Sequence, residues 1–313
     1  MASLTVTEPL SNATITIPIS DQNSIPAAAF GQLKIPQTCP KPEQPDDKVP
    51  VRLFDPGFKN TAVCKSAISH IDGDKGKLFY RGYDVEELVE QSTFLEVAFL
   101  LIYGTLPSQS QYDAWVYKVM HHTYVHTEIE EQMLTFRFDA HPMGMLIATI
   151  ASLSTFHPEA NPALQGPNLY MKPKNASNDE INAADAARDK AIYRMLGKVP
   201  TIAANAYRHR QGRAYNPPMS HTSSYCENLL YMMDKLNEQD YRPDARLVRV
   251  LEKAFILLAE HGTNCSTVMM RHLGSSGVDP YTALSGASGA LFGERKRSMN
   301  PINTKPIYIG VFF

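Results

Sequence analysis

A histidine and an asparagine three positions apart are the first residues in this sequence whose spacing suggests chemistry. His261 and Asn264 lie, with Gly262 between them, at the junction of two segments that have helical periodicity. The first amides of a helix attract anions, and a histidine there can donate a hydrogen bond to a carboxylate. The pattern indicates a carboxylate-binding corner, although spacing alone favours a plainer interpretation in which both residues cap a buried kink.

A second cluster contains the histidines His121, His122 and His126. His122 and His126 are four positions apart, which would place both on one face of a predicted helix. A metal site would need a third ligand and hydrogen bonds that orient the ligands. The pattern therefore favours an exposed helical face, and we predict no metal site.

A third cluster is basic and lies at the end of a predicted helix. It consists of Arg208, His209, Arg210 and Arg213. Solvation and interaction with the helix C-terminal dipole explain such a cluster. Binding of a phosphate group is the alternative.

The composition is that of an ordinary soluble globular protein. Hydrophobic residues make up 43% of the 313 positions and charged residues 20%, and the formal net charge is −2. This balance gives no indication of a nucleic-acid or membrane-surface partner. Four cysteines, Cys39, Cys64, Cys226 and Cys265, are scattered without CxxC spacing, which is typical of reduced intracellular thiols.

The N-terminal region predicts neither a secretory signal nor a mitochondrial presequence. No Arg precedes Arg52, no Lys precedes Lys34, and Glu8 and Asp21 add negative charge. Cytoplasm is the default expectation, with peroxisomal and mitochondrial locations left open. Eight of the 22 prolines fall within residues 1–50, so this segment is expected to be extended or partly disordered.

The elements that must position the candidate residues are mainly helices. A β-hairpin is predicted at 67–71 and 77–80, around an Asp72-Gly73 turn. Gly197 and Gly212 are interpreted as helix stops, and the small residues of 285–290 as a buried helix face. Helices are predicted at 94–103, 109–122, 142–156, 180–196, 200–212, 223–236, 244–260, 265–273 and after Asp279.

Residues 259–293 resemble the signature region of the citrate synthase family, in which a His and an Asn precede a Ser-Thr helix. The resemblance continues upstream in family order and covers about residues 50–293. It is strongest toward the eukaryotic branch that includes plant glyoxysomal enzymes. Five further segments carry it, at 53–57, 71–73, 80–83, 139–143 and 200–204.

The resemblance implies an all-α large domain with a small N-terminal β-hairpin, belonging to a homodimeric acyltransferase. Such enzymes condense acetyl-CoA with oxaloacetate to give citrate and free CoA, without a further cofactor. By resemblance, His261 and Asn264 match positions that bind oxaloacetate. Gly262 stands where the family usually has Glu.

The sequence departs from the family pattern after Gly293, where a GPLHGG-type string is expected. No His follows His272, and the family's catalytic His and Asp have no counterparts. We therefore expect an N-terminal segment at 1–50, an incomplete large domain at 51–293, a non-family tail at 294–313 and no small domain. The chain alone is expected to be inactive. The alternatives are a non-catalytic partner of a full-length synthase and a truncated gene model or splice form.

Overall fold

The computed structural model describes residues 2–9, 12–36, 48–55, 60–164, 177–219 and 224–293. Contacts divide the chain into two compact units, Met1–Lys65 and Ser66–Phe313. The unit boundary follows Lys65, whereas the proline-rich segment was expected to end at residue 50. The tail expected at 294–313 lies outside the described residues.

The first unit contains two antiparallel strand pairs and a short 3-10 helix at Ala27–Gln32. β1 and β2 pair in register from Ser3 with Pro18 to Glu8 with Ala13. Their sequences alternate apolar and threonine residues, and Ile17 is buried, which is the pattern of a half-buried strand. The pairing was not predicted because the proline count outweighed this alternation. The four strands are β1 Ser3–Glu8, β2 Ala13–Pro18, β3 Lys34–Pro36 and β4 Lys48–Pro50.

The second unit begins with the predicted hairpin. β5 (Ser69–Asp72) and β6 (Lys77–Tyr80) are antiparallel, and a two-residue strand, β7 (Tyr83–Asp84), extends the sheet. The Asp72 carboxylate accepts a hydrogen bond from Lys75 N at 3.1 Å, which closes the turn. The hairpin prediction is confirmed.

Ten α-helices follow in the part of the chain that the structure describes. Most begin at a Ser, Thr, Asp or Asn whose side chain accepts a hydrogen bond from an amide of the first turn. No described helix combines the length and apolarity needed to cross a bilayer. The helices are α1 Val85–Gln91, α2 Phe94–Tyr103, α3 Gln109–Met120, α4 Thr127–Leu134, α5 Pro142–Phe156, α6 Asn178–Arg210, α7 Tyr225–Asp234, α8 Ala245–Leu258, α9 Cys265–Ser275 and α10 Pro280–Gly289.

The two helices predicted at 180–196 and 200–212 are a single helix, α6, so the predicted stop at Gly197 is wrong. A Cβ at residue 197 would lie 2.6 Å from Val119 O, so this glycine permits a close approach to the end of α3. Pro200 provides no N–H for the carbonyl of Leu196 four residues earlier. Tyr225 Oη on α7 donates to that carbonyl at 2.9 Å, which replaces the missing hydrogen bond.

The prediction that His122 and His126 share a helix face is also wrong. His122 lies beyond the end of α3, and its Nδ1 is 2.6 Å from Lys118 O. His126 is the N-cap of α4, and its Nδ1 accepts from Glu128 N at 3.3 Å. No helix was predicted at 127–134, where the structure has α4.

Two hydrophobic clusters form the core of the second unit. One joins the hairpin residue Tyr80 to α1, α2, α3, α7 and α8, and the other joins α4, α5 and α10. The long helix α6 contributes Leu196 to the first cluster and Val199 and Ile202 to the second. This helix therefore connects the two halves of the core.

Helix α8 does not bury all of its apolar residues. Phe255 is buried, but Leu247 and Leu258 are 57% and 54% exposed. Val250 and Leu257 are exposed on the same side of the helix, which gives a stripe of four apolar residues. The buried face is rotated toward Glu252, Phe255 and Ile256.

Candidate functional site

The candidate residues follow α8, whose C-terminal end is held by the hairpin. Tyr80, which is fully buried on β6, places its hydroxyl 3.1 Å from both Ile256 O and Glu260 O. Burial raises the pKa of Tyr80 to about 12, so the hydroxyl keeps its proton as a donor. The Tyr80 hydroxyl thereby shares its one proton between carbonyls at and just beyond the end of α8.

Gly262 shapes the loop between α8 and α9. Its φ is +78°, a left-handed conformation that strains residues with a side chain. Its N–H donates to Glu260 Oε1 at 2.8 Å, and its carbonyl accepts from Asn264 N at 2.9 Å. Gly262, which stands where the family usually has Glu, therefore lies in a turn whose backbone conformation favours glycine.

Asn264 is the N-cap of α9. Its Oδ1 accepts from Thr267 N at 2.9 Å and from Thr267 Oγ1 at 3.2 Å. These bonds use the carbonyl end of the side chain. Among the described residues the Nδ2 amide has no hydrogen bond partner, so it can donate to a ligand.

His261 is exposed, three residues before this cap. Within the described residues no hydrogen bond joins His261 to Asn264. The arrangement consists of an imidazole, an amide donor and the start of a helix, all of which can interact with a carboxylate. Its described side chains are donors suited to an anion.

The basic cluster at the end of α6 is not assembled as a phosphate site. Arg208 is buried and donates to Met233 O and Lys235 O, each at 2.9 Å, and to Ala214 O. These acceptors include the C-terminal end of α7, where the helix dipole favours a cation. His209 Nε2 lies 3.1 Å from Phe136 O. Only Arg210 and Arg213 remain exposed.

No cluster of three or more His, Cys, Asp or Glu side chains suited to a metal ion occurs among the described residues. Ser266, two residues after Asn264, was not predicted from the sequence. This serine is 5% exposed and lines a cavity beside α9. Only the Ser-Thr pair after Asn264 signals it, and that pair was interpreted as helix-start chemistry.

Comparison with known proteins adds the family context. The family model "Citrate synthase, C-terminal domain" matches residues 57–301. The chain is 57% identical over 241 residues to the peroxisomal citrate synthase of Dictyostelium discoideum, covering 77% of this chain and 46% of that protein. It is 51% identical over 251 residues to the glyoxysomal citrate synthase of Cucurbita maxima, covering 80% and 46% respectively.

The fold is also similar to solved structures. The citrate synthase of Pyrobaculum aerophilum aligns with a TM-score of 0.67 at 27% identity, over 78% of this chain and 58% of that one. The chain spans about half the length of the curated relatives it matches. The family match covers most of the chain, and the helical fold agrees with it. The chain therefore belongs to the citrate synthase family.

Proposed function

We propose that this chain contributes oxaloacetate-binding residues to the condensation of an acyl-CoA with oxaloacetate. His261 donates from its exposed ring and Asn264 from its Nδ2 amide, beside the N-terminus of α9. The observation that carries the proposal is the family match, which includes this junction and extends over residues 57–301. A ternary complex of the citrate synthase of Thermoplasma acidophilum with carboxymethyl coenzyme A and oxaloacetate shows the fold with both ligands.

We also propose that the 313-residue chain does not complete the reaction alone. A condensing enzyme needs a group that polarises the thioester carbonyl and a base that removes a methyl proton. His272 is the last histidine of the sequence, and it lies on α9. The described loop provides donors for a carboxylate and no acid–base pair.

Calorimetric titration of oxaloacetate into the chain tests the binding role. His261→Gln should weaken binding about tenfold, which corresponds to about 1.4 kcal/mol. Asn264→Ser should weaken it similarly, because serine keeps an N-cap oxygen but lacks the amide donor. His70→Gln, on the exposed face of β5, is the matched control. Unchanged affinity in both site variants would refute the proposal.

A second candidate function is that of a non-catalytic partner for a full-length synthase. It is favoured by the exposed α8 stripe of Leu247, Val250, Leu257 and Leu258, because contiguous apolar patches mark interaction surfaces. The chain co-expressed with a full-length homologue should co-elute with it in size-exclusion chromatography. Leu247→Glu combined with Leu258→Glu should abolish co-elution. Separate elution of the unaltered chain would exclude this function.

The relatives bear on location as well. The two relatives described above are named as a peroxisomal and a glyoxysomal enzyme, whereas the expectation of a cytoplasmic location gains no support. We propose a peroxisomal location for the protein. Fluorescence microscopy of the intact gene product with an N-terminal tag should show co-localisation with a peroxisomal marker, and a diffuse signal would contradict it.

A further inference from the structure

A cavity of about 260 Å³ lies among α2, α6, α9 and α10. Aliphatic side chains from each helix form most of its wall, including Ile102, Val199, Met270 and Leu284. Neither His261 nor Asn264 lines it. The cavity is therefore separate from the residues assigned to oxaloacetate.

The polar side chains that line the cavity are nearly all accounted for by hydrogen bonds within the protein. Thr267 Oγ1 donates to Asn264 Oδ1 at 3.2 Å, and Ser288 Oγ donates to Leu284 O at 2.8 Å. The exception is Ser266, which is buried and whose Oγ has no partner among the described residues. A buried hydroxyl without a partner is unfavourable, and such groups often mark a missing ligand or water.

One charged residue, Arg271, lines the same cavity and is exposed to solvent. Within the described residues it forms no ion pair. Ser266, Met270 and Arg271 lie along one side of α9, with about 7.5 Å of helix rise between the serine and the arginine. The cavity thus has a cation at its solvent end, an aliphatic wall and a hydroxyl donor at its buried end.

The size of the cavity restricts the ligand. An apolar cavity of ~150 Å³ accepts benzene, so a cavity of 260 Å³ accommodates a chain of about eight to ten carbons. An apolar wall with few polar groups is the usual composition of a small-molecule site. The exposed guanidinium favours a carboxylate head, since the two groups can form a bidentate pair in solvent.

We propose that this cavity binds a medium-chain aliphatic carboxylate that carries a hydroxyl group at the far end of its chain. The chain lies among α2, α6, α9 and α10, the carboxylate pairs with Arg271, and the Ser266 hydroxyl bonds a polar atom near the end of the chain. This site goes beyond the condensation reaction and does not depend on it, because it uses neither His261 nor Asn264.

Octanoate and octanol are the first probes, titrated into the full chain by calorimetry. Both should bind, because the alkyl chain of each fills the apolar cavity. Arg271→Gln should weaken octanoate at least tenfold and change octanol less than twofold. Arg246→Gln is the matched control, because Arg246 is exposed and paired with Asp244 at 2.7 Å, and it should affect neither ligand.

The buried end is tested with 8-hydroxyoctanoate. It should bind more tightly than octanoate, and Ser266→Ala should remove that preference while leaving octanoate binding unchanged. Ala287→Phe should block all three ligands by filling the cavity, since Ala287 is buried in its wall. If this variant fails to fold by circular dichroism, Ala287→Leu serves the same purpose with a smaller added volume.

Two results would overturn the proposal. One is the absence of octanoate binding at millimolar concentrations, and the other is equal loss of octanoate and octanol in Arg271→Gln. Oxaloacetate titration of the same samples reports separately on the loop at His261. The failure of one site is therefore distinguishable from the failure of the other.

Discussion

Several single residues support the fold by satisfying backbone groups on a different element. Tyr80 donates to Ile256 O near the end of α8. Tyr225 donates to Leu196 O, the carbonyl to which Pro200 provides no N–H. Glu252 on α8 accepts from Phe94 N at 2.6 Å, so a buried carboxylate meets the positive end of α2. These contacts connect distant parts of the chain, and no sequence pattern identifies them.

The hydrogen bond from Tyr225 to Leu196 O gives a prediction for stability. Tyr225→Phe should lower the free energy of unfolding by about 1–3 kcal/mol, because Leu196 O loses the donor that Tyr225 provides in a buried position. In a Pro200→Ala background the cost should be smaller, since the restored N–H can bond that carbonyl. Urea unfolding of the four proteins measures the coupling, with Tyr231→Phe as a half-buried control. An equal loss of stability in both backgrounds would show that Tyr225 does not replace the hydrogen bond that Pro200 removes.

His157 gives a prediction for pH. Burial, with Arg194 and Lys198 nearby, lowers the pKa of His157 from 6.5 to about 4. Between pH 4 and 6.5 the unfolded state therefore binds more protons than the folded state. The contribution of His157 to stability is complete above pH 6.5 and is lost progressively as the pH falls toward 4. The loss should approach about 1.4 kcal/mol per pH unit. His157→Gln should reduce this slope in urea unfolding, and an unchanged slope would contradict the assignment.

The thiols give a third prediction. Burial raises the pKa of Cys226, and the nearby Glu252 carboxylate raises it further, whereas Cys265 is exposed at the start of α9. Because the thiolate is the reactive form, Cys226 should react with a disulfide reagent only after unfolding. Cys265→Ser should remove a fast phase of native labelling, and Cys226→Ser should leave that phase intact. Fast labelling of Cys226 would show that the α7–α8 contact is absent.

At the residue scale, sequence could indicate Asn264, because an Asn before a Ser-Thr helix is a recognised N-cap pattern. It could not indicate the cavity beside Ser266. That feature depends on how α2, α6 and α10 pack around α9, and those contacts come from distant parts of the chain. The roles of His261 and Asn264 toward oxaloacetate stay predictions.

At the element scale, the sequence was informative where local signals agree. The bounds of α5 at 142–156 match the prediction, with Pro142 in the first turn. The small residues of α10 permit close packing as expected, because a Cβ on Gly286 would lie 2.3 Å from Leu273 Cδ1 on α9. Local signals failed at α6, where Gly197 and Pro200 serve tertiary contacts rather than helix ends.

Two helical glycines offer a matched test of that distinction. Gly197→Ala should destabilise the protein by several kcal/mol, because the new Cβ would meet backbone atoms of Val119 and His122 at 2.6–2.7 Å. Gly144→Ala on α5 meets nothing within 4 Å and should stabilise the helix by about 0.5–1 kcal/mol. Thermal and urea unfolding compare the two. Similar effects would show that α6 does not approach the end of α3 closely.

At the scale of the whole molecule, two core clusters joined by α6 form the second unit, and this all-helical arrangement was predicted from the family resemblance. The exposed stripe on α8 was not predicted, because periodicity identifies an apolar face without showing what covers it. The stripe of Leu247, Val250, Leu257 and Leu258 makes self-association a further expectation.

We propose that this chain carries oxaloacetate-binding residues of the citrate synthase family and that it does not complete the condensation by itself. The direct measurement is release of free CoA thiol by the purified 313-residue chain supplied with acetyl-CoA and oxaloacetate. We expect no release above background, together with oxaloacetate binding that His261→Gln weakens. Oxaloacetate-dependent thiol release that scales with protein concentration would contradict it.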